Sequence, residues 1–161
     1  MKDLDWSNLG FGYRKTDYNV RCYYRDGKWG EIEVCSSEYV NLHMAATCLH
    51  YGQEAFEGLK AFRCPDGKVR VFRMDENAAR LQSTCRGIMM PEVSTELFEE
   101  MVAKVVRLNQ EYIPTYESGA SLYIRPLLIG TSAQVGVHPA TEYVFLIFVT
   151  PVGPYFKGGF S

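Results

Sequence analysis

The sequence predicts an α+β fold: a two-layer domain whose antiparallel sheet carries two helices packed on one side. Three observations lead there. Turn-punctuated extended segments cluster as two hairpins before a pair of amphipathic helical stretches. Two longer extended runs follow those helices. Strands and helices do not alternate as crossover units would require. At 161 residues, with 47% apolar and 22% charged side chains, the chain has globular proportions and can own a core.

The elements follow in order. An N-terminal arm with Trp6 and Leu9 leads into Phe11-Gly12-Tyr13. Residues 17–25 are rich in β-formers, Asp26-Gly27 is a two-residue turn signal, and Glu31-Ile32-Glu33-Val34 alternates as a partner strand should. Residues 39–50 are open between loop and short helix. Residues 55–63 and 69–73 form a second hairpin around Pro65-Asp66-Gly67. Asp75 can cap a first helix bearing Ala78, Leu81, Cys85 and Ile88, with Gly87 near its end. Ser94 can cap a second, whose stripe runs from Leu97 and Phe98 through Met101, Val102, Val105 and Val106 until Pro114 stops it. Strands at 120–130 and 143–152 close the fold; the latter is a near-continuous apolar run, as expected of a strand buried on both faces.

Seventeen basic against nineteen acidic residues give a net charge of −2, so nucleic-acid binding by bulk electrostatics is not expected. The longest uncharged apolar run, 143–152, is far short of the ~20 residues a membrane span needs. The N-terminus carries Asp3 and Asp5 where a signal peptide needs an apolar run, so the expected location is cytoplasmic. Five cysteines without Cys-x-x-Cys spacing read as reduced thiols, and His43, His50 and His138 lack the spacing of a metal motif. Eleven tyrosines hint at a pocket or an interface.

Three constellations could carry chemistry. Residues 49–62, with Gly52 and Gly58 bracketing Phe56 and Glu57, read either as a turn into a hairpin or as a close backbone approach. On extended chain Phe56 and Gly58 share a face and Glu57 points to the other. Arg80 lies at the edge of its helix's apolar stripe; it is either a solvated side chain or a guanidinium fork for a phosphate. In Ser121-Leu122-Tyr123-Ile124-Arg125-Pro126, period two puts Tyr123 and Arg125 on one face, where the cation needs an anionic or accepting partner.

These segments, in this order, resemble the branched-chain amino acid aminotransferases, which are fold-type IV pyridoxal-phosphate enzymes. The resemblance rests on His50-Tyr51-Gly52, Phe56-Glu57-Gly58-Leu59-Lys60-Ala61-Phe62, Phe72-Arg73 through Arg80-Leu81, Ser121 through Gly130, Val135-Gly136-Val137, and Pro151-Val152-Gly153 to Tyr155-Phe156. It implies that residues 1–150 form the family's N-terminal small domain, that 151–161 begin the connection to a large domain, and that the large domain lies outside this chain.

The resemblance further implies transfer of the amino group of leucine, isoleucine or valine to 2-oxoglutarate, giving glutamate, in a homodimer using pyridoxal 5′-phosphate. Arg80 would bind the cofactor phosphate. Tyr51 and Arg125 would place substrate carboxylates, and Phe11, Phe56, Tyr123 and Tyr155 would wall the aliphatic pocket. Val137 would reach into the neighbouring subunit's site. A methylene buried in such a pocket is worth about 0.8 kcal/mol, so discrimination among the three substrates should be loose. The Schiff-base lysine of the family lies beyond Ser161; neither Lys60 nor Lys157 matches it, so the chain alone should be inert, with no catalytic residue of its own. An exposed apolar face including Tyr51, Phe56 and Tyr123 should favour self-association. Rival readings are a D-amino acid aminotransferase, an aminodeoxychorismate lyase, or a non-catalytic binding domain on the same fold. One geometric expectation binds the scheme together: the guanidiniums of Arg80 and Arg125 should share a concavity.

Overall fold

The computed structural model describes residues 2–154. Its frame is a single antiparallel sheet. Strand β1 (Asn19–Arg25) turns at Asp26-Gly27 into β2 (Lys28–Trp29), and β3 (Glu33–Cys35) continues along β1. Both turn residues have positive φ, at 52° and 77°, as a tight two-residue hairpin requires. Tyr23 faces Gly30 whereas Arg21 pairs with Glu33, so Glu31 and Ile32 together oppose Cys22 and the partner strand carries a bulge.

The expected loop or helix at 39–50 resolves into a loop followed by the short helix α1 (Thr47–Tyr51), ended by Gly52 at φ 62°. Strands β4 (Glu54–Phe56) and β5 (Leu59–Arg63) then run along β7 (Ser121–Gly130). They keep one register, so the expected single strand is present but interrupted at Glu57-Gly58. Pro126 supplies the reason. Its carbonyl accepts the Glu57 amide at 2.9 Å, but it has no N–H to return the bond. Beyond the Pro65-Asp66-Gly67 turn, β6 (Val69–Val71) pairs with β5. Strand β8 (Tyr143–Val152) lies between β1 and β7, giving the order β2-β1-β8-β7-β5-β6. All its residues but Phe148 are buried, as the apolar run predicts.

Helices α2 (Met74–Gly87) and α3 (Thr95–Leu108) cover one face. Ser94 caps α3 by accepting the Leu97 amide at 3.1 Å. Asp75 does not cap α2: the helix begins at Met74, two residues earlier than a cap at Asp75 would allow, Arg73 takes the capping position with φ 51°, and Asp75 sits in the first turn, where its charge favours the helix dipole. Helix α3 stops at Leu108, well before Pro114. Buried Asn109 ends it, its side-chain oxygen accepting the amides of Asp17 and Tyr18 and its amide donating to the Tyr18 and Val105 carbonyls.

Alternation sorts the strands into two faces. Val20, Cys22, Leu59, Ala61, Leu122, Ile124, Leu128, Phe145 and Ile147 meet the helices' Ala78, Leu81, Phe98, Met101, Val102 and Val105 in one core. Phe98 stacks on Phe145 with ring centroids 6.0 Å apart. The opposite face carries Arg21, Phe56, Lys60, Tyr123, Arg125, Leu127 and Phe148, and no helix of the described residues covers it. The two-layer expectation holds.

Candidate functional site

Chemistry-bearing residues gather on that open face around the strand break. The odd positions of β7 put Tyr123 and Arg125 there side by side, and the register sets Phe56 and Gly58 next to them. Arg125 donates from Nε and Nη2 to the Tyr123 hydroxyl oxygen at 3.2 and 2.9 Å. Its guanidinium also lies 4.5 Å from the Phe56 ring centre and 5.2 Å from that of Tyr123. Phe11, delivered by the N-terminal arm, meets Tyr123 edge-on with centroids 5.3 Å apart. The sequence asked for an accepting partner for Arg125. The structure provides a phenol and two ring faces, and no carboxylate within ion-pair distance among the described residues.

The arrangement is a half-open apolar wall with one cation set in it. Phe11 and Phe56 are 49% and 60% exposed, so both offer ring surface outward. A guanidinium flanked by aromatic faces keeps its charge and its remaining N–H donors for a carboxylate.

Tyr51 and Val137 form a separate group. The Tyr51 hydroxyl donates to the Val135 carbonyl, and Tyr51, Val137, His138 and Met89 border a hollow of ≈ 310 Å³. Gln53 anchors the loop that carries Val137: its carbonyl accepts the Gly130 amide, its side-chain oxygen accepts the Ala140 amide, and its amide donates to the buried Tyr143 hydroxyl. Tyr155 lies outside the described residues.

Arg80 is elsewhere again. It projects from α2 on the helix side of the sheet, where Glu57 reaches it through the strand break. Nε donates to the two Glu57 oxygens at 2.8 and 3.1 Å, and Nη2 donates to one of them at 2.5 Å. The carboxylate holds the guanidinium's proton above its ordinary range. The Glu57 side chain is 3% exposed and that of Arg80 68%, so the pair joins a buried anion to a cation that opens to solvent. With Phe72, Arg73, Glu76 and Asn77, Arg80 borders a hollow of ≈ 370 Å³. The expectation of a shared concavity therefore fails within residues 2–154. Arg125 belongs to the open face and Arg80 to the helix side, because strand alternation at Glu57 and Gly58 sends their surroundings to opposite sides.

The sequence places Glu57 on the face away from Phe56 and Gly58 but assigns no role to it or to Asn77. Glu57 could have been flagged as an acid inside an apolar strand pattern, since a buried carboxylate demands a partner. As to a phosphorylated cofactor, the donor set at Arg80 fits. The Nη1 nitrogen has no hydrogen-bond partner among the described residues, and a guanidinium edge matches two phosphate oxygens.

Comparison with known proteins places these observations. No protein-family model matches the chain. A branched-chain-amino-acid aminotransferase of Haemophilus influenzae is 50% identical over 161 residues, covering 100% of this chain and 47% of that protein. One from Helicobacter pylori is 49% identical over 99% of this chain and 47% of its own length. Among solved structures, the branched-chain amino acid aminotransferase of Escherichia coli superposes with a TM-score of 0.66 at 28% identity, over 89% of this chain and 42% of that one. The chain thus spans about half the length of the curated relatives it matches. Along its whole sequence and in its fold, the chain is homologous to the branched-chain amino acid aminotransferases, whose small domain its two-layer architecture matches.

Proposed function

We propose that this chain supplies the N-terminal small domain of a pyridoxal-phosphate-dependent branched-chain aminotransferase acting on leucine, isoleucine and valine with 2-oxoglutarate as amino acceptor. The observation that carries this reading is the cluster of Phe11, Phe56, Tyr123 and Arg125, an apolar wall with a single oriented cation. One pocket has to take an aliphatic side chain in one half-reaction and a distal carboxylate in the other. Phe11, Phe56 and Tyr123 provide ring surface for the first, and Arg125 provides donors for the second, held in place by the Tyr123 oxygen.

Pyridoxal phosphate, when bound, supplies the electron sink that such amino transfer needs. Arg80 would hold its phosphate by the guanidinium edge that Glu57 leaves unused. Another solved branched-chain amino acid aminotransferase contains pyridoxamine 5′-phosphate, and at 23% identity it supports the fold alone. Pro151 and Val152, expected in the connection, instead end β8, so the connection to a large domain carrying the catalytic lysine would begin only after Val152. Of the lysines in the described residues, Lys60 lies on the open face opposite Tyr123. It has no match in the family's catalytic position, so the chain alone would be inert.

Since Tyr51 is bonded to the loop that bears Val137, the two act as one unit. A homodimer that uses Val137 in the neighbouring site uses Tyr51 there as well. The cytoplasm is the proposed location. A full-length enzyme carrying this chain should transaminate L-leucine, L-isoleucine and L-valine at comparable rates and ignore D-alanine. A preference for D-alanine would favour the rival fold-type IV reading. Transamination by the 161-residue chain alone would overturn the division of labour proposed here.

A further inference from the structure

Glu57 is the one acidic residue that the fold buries among the described residues, and nothing above gives it a purpose beyond satisfying itself. We propose that Glu57 is the positioning residue of the phosphate site: it fixes which edge of the Arg80 guanidinium meets the anion. The proposal rests on the reading of Arg80 as the phosphate ligand.

Three features carry it. Glu57 reaches the helix side because the strand is interrupted opposite Pro126, so the carboxylate arrives from rigid backbone rather than from a loop. It engages Nε and Nη2 together, which removes the rotational freedom a surface arginine otherwise keeps. Asn77, three residues before Arg80 on the same helix face, donates at 3.1 Å to Glu57 Oε2, the oxygen that Nη2 also grips, and to the Gly58 carbonyl at 3.3 Å, which stops the carboxylate itself from turning. The guanidinium is thus gripped along its inner edge. Nη1 and the remaining N–H of Nη2 form the outer edge beside the hollow at Phe72 and Arg73, in the paired-donor geometry that a phosphate monoester accepts. A lysine at 80 could not be gripped this way, because its three donors sit on one freely rotating nitrogen and define no inner and outer edge.

The test compares affinities for pyridoxal phosphate and for pyridoxal, which lacks the phosphate, in a full-length enzyme carrying this chain. Titrations are followed by absorbance and by the thermal midpoint of the cofactor-free protein. Glu57→Gln keeps the volume but loses the charge and one acceptor. It should weaken pyridoxal phosphate by about tenfold, as loss of a ligand-orienting partner typically does, and leave pyridoxal unchanged. Arg80→Lys should do the same, and the double variant should be no weaker than either single one, since both remove the same interaction. Asn77→Ala, which leaves the ion pair in place, should give a smaller loss that is again specific to the phosphate. If Arg80→Lys leaves pyridoxal phosphate affinity intact, the phosphate reading of Arg80 falls. If Arg80→Lys weakens it while Glu57→Gln and Asn77→Ala do not, or weaken both ligands equally, Glu57 is a packing residue and the positioning proposal falls.

Discussion

The hydroxyl of Tyr123 stands where a side chain on residue 58 would have to go: a Cβ on Gly58 would lie 2.6 Å from that oxygen. Glycine at 58 is therefore a condition for Tyr123 to lie flat against the strand and hold Arg125. In Gly58→Ala the ring tip can swing aside, so the stability loss should stay near ~1 kcal/mol, the low end for overpacking. The hydrogen bonds from Arg125 to Tyr123 should be lost, and the Arg125 Nε–H resonance in nitrogen-15 spectra reports it directly. An unchanged resonance would mean that Tyr123 does not depend on residue 58.

A second glycine has no such escape. A Cβ on Gly153 would stand 1.7 Å from the Leu9 carbonyl oxygen, and the Gly153 amide donates to the Gly10 carbonyl at 3.1 Å. Backbone opposes backbone here, so Gly153→Ala should cost about 3 kcal/mol and release the arm that carries Phe11. Thermal melting measures the cost, and limited proteolysis before Phe11 shows whether the arm has come away.

The helix layer offers two graded tests. Ser94→Ala removes the cap of α3 and should cost about 1 kcal/mol. Phe98→Ala empties a fully buried site against Phe145 and should cost about 3–5 kcal/mol. Urea unfolding of both variants should preserve that ranking.

Alkali should lower the stability of the protein through Tyr112. Partial burial and a hydrogen bond to Asp17 push Tyr112 up to about 12, whereas Tyr13, 59% exposed beside Glu38, adds little because solvent screens it. The unfolded phenols ionise near ~10, so between the two values the unfolded chain has shed protons that the folded chain keeps. This stabilisation is complete below about pH 10 and disappears as the pH rises through about 12. Tyr112→Phe should flatten that part of the stability–pH curve, measured by denaturant midpoints from about pH 9 to 12.

Burial pushes the Cys85 thiol up to about 11, with the Glu92 charge adding to it, and the side chain is fully enclosed. At about pH 8 an alkylating reagent should leave Cys85 unmodified in the native protein, while the partly exposed Cys35 and Cys64 react first. Peptide mass spectrometry before and after denaturation reads the order.

Local chemistry made much of the fold legible. Asp26-Gly27 specifies its own turn, the uncharged run from Tyr143 to Val152 specifies a central strand, and Ser94 specifies a helix start. Period two likewise puts Tyr123 and Arg125 together without reference to anything distant. What escaped was non-local. The break at Glu57-Gly58 is imposed by the missing N–H of Pro126 on another strand, and the ion pair of Arg80 depends on how α2 lies over that break. The start of α2 differed because Arg73 adopts a left-handed backbone that its residue type does not announce. For the same reason the two arginines looked like one site in the sequence, whereas the sheet sets them on opposite faces.

The sheet's outer margins have a consequence for how copies of this chain can meet. On one side β2 spans two residues and is separated from β3 by a bulge; on the other β6 spans three. Such short, kinked borders are poor templates for another chain's backbone, so runaway strand-to-strand polymerisation is disfavoured at both ends. Any meeting of two copies would then fall to side-chain contacts, and where the same patch is used on both copies such a contact closes at a pair instead of growing without limit.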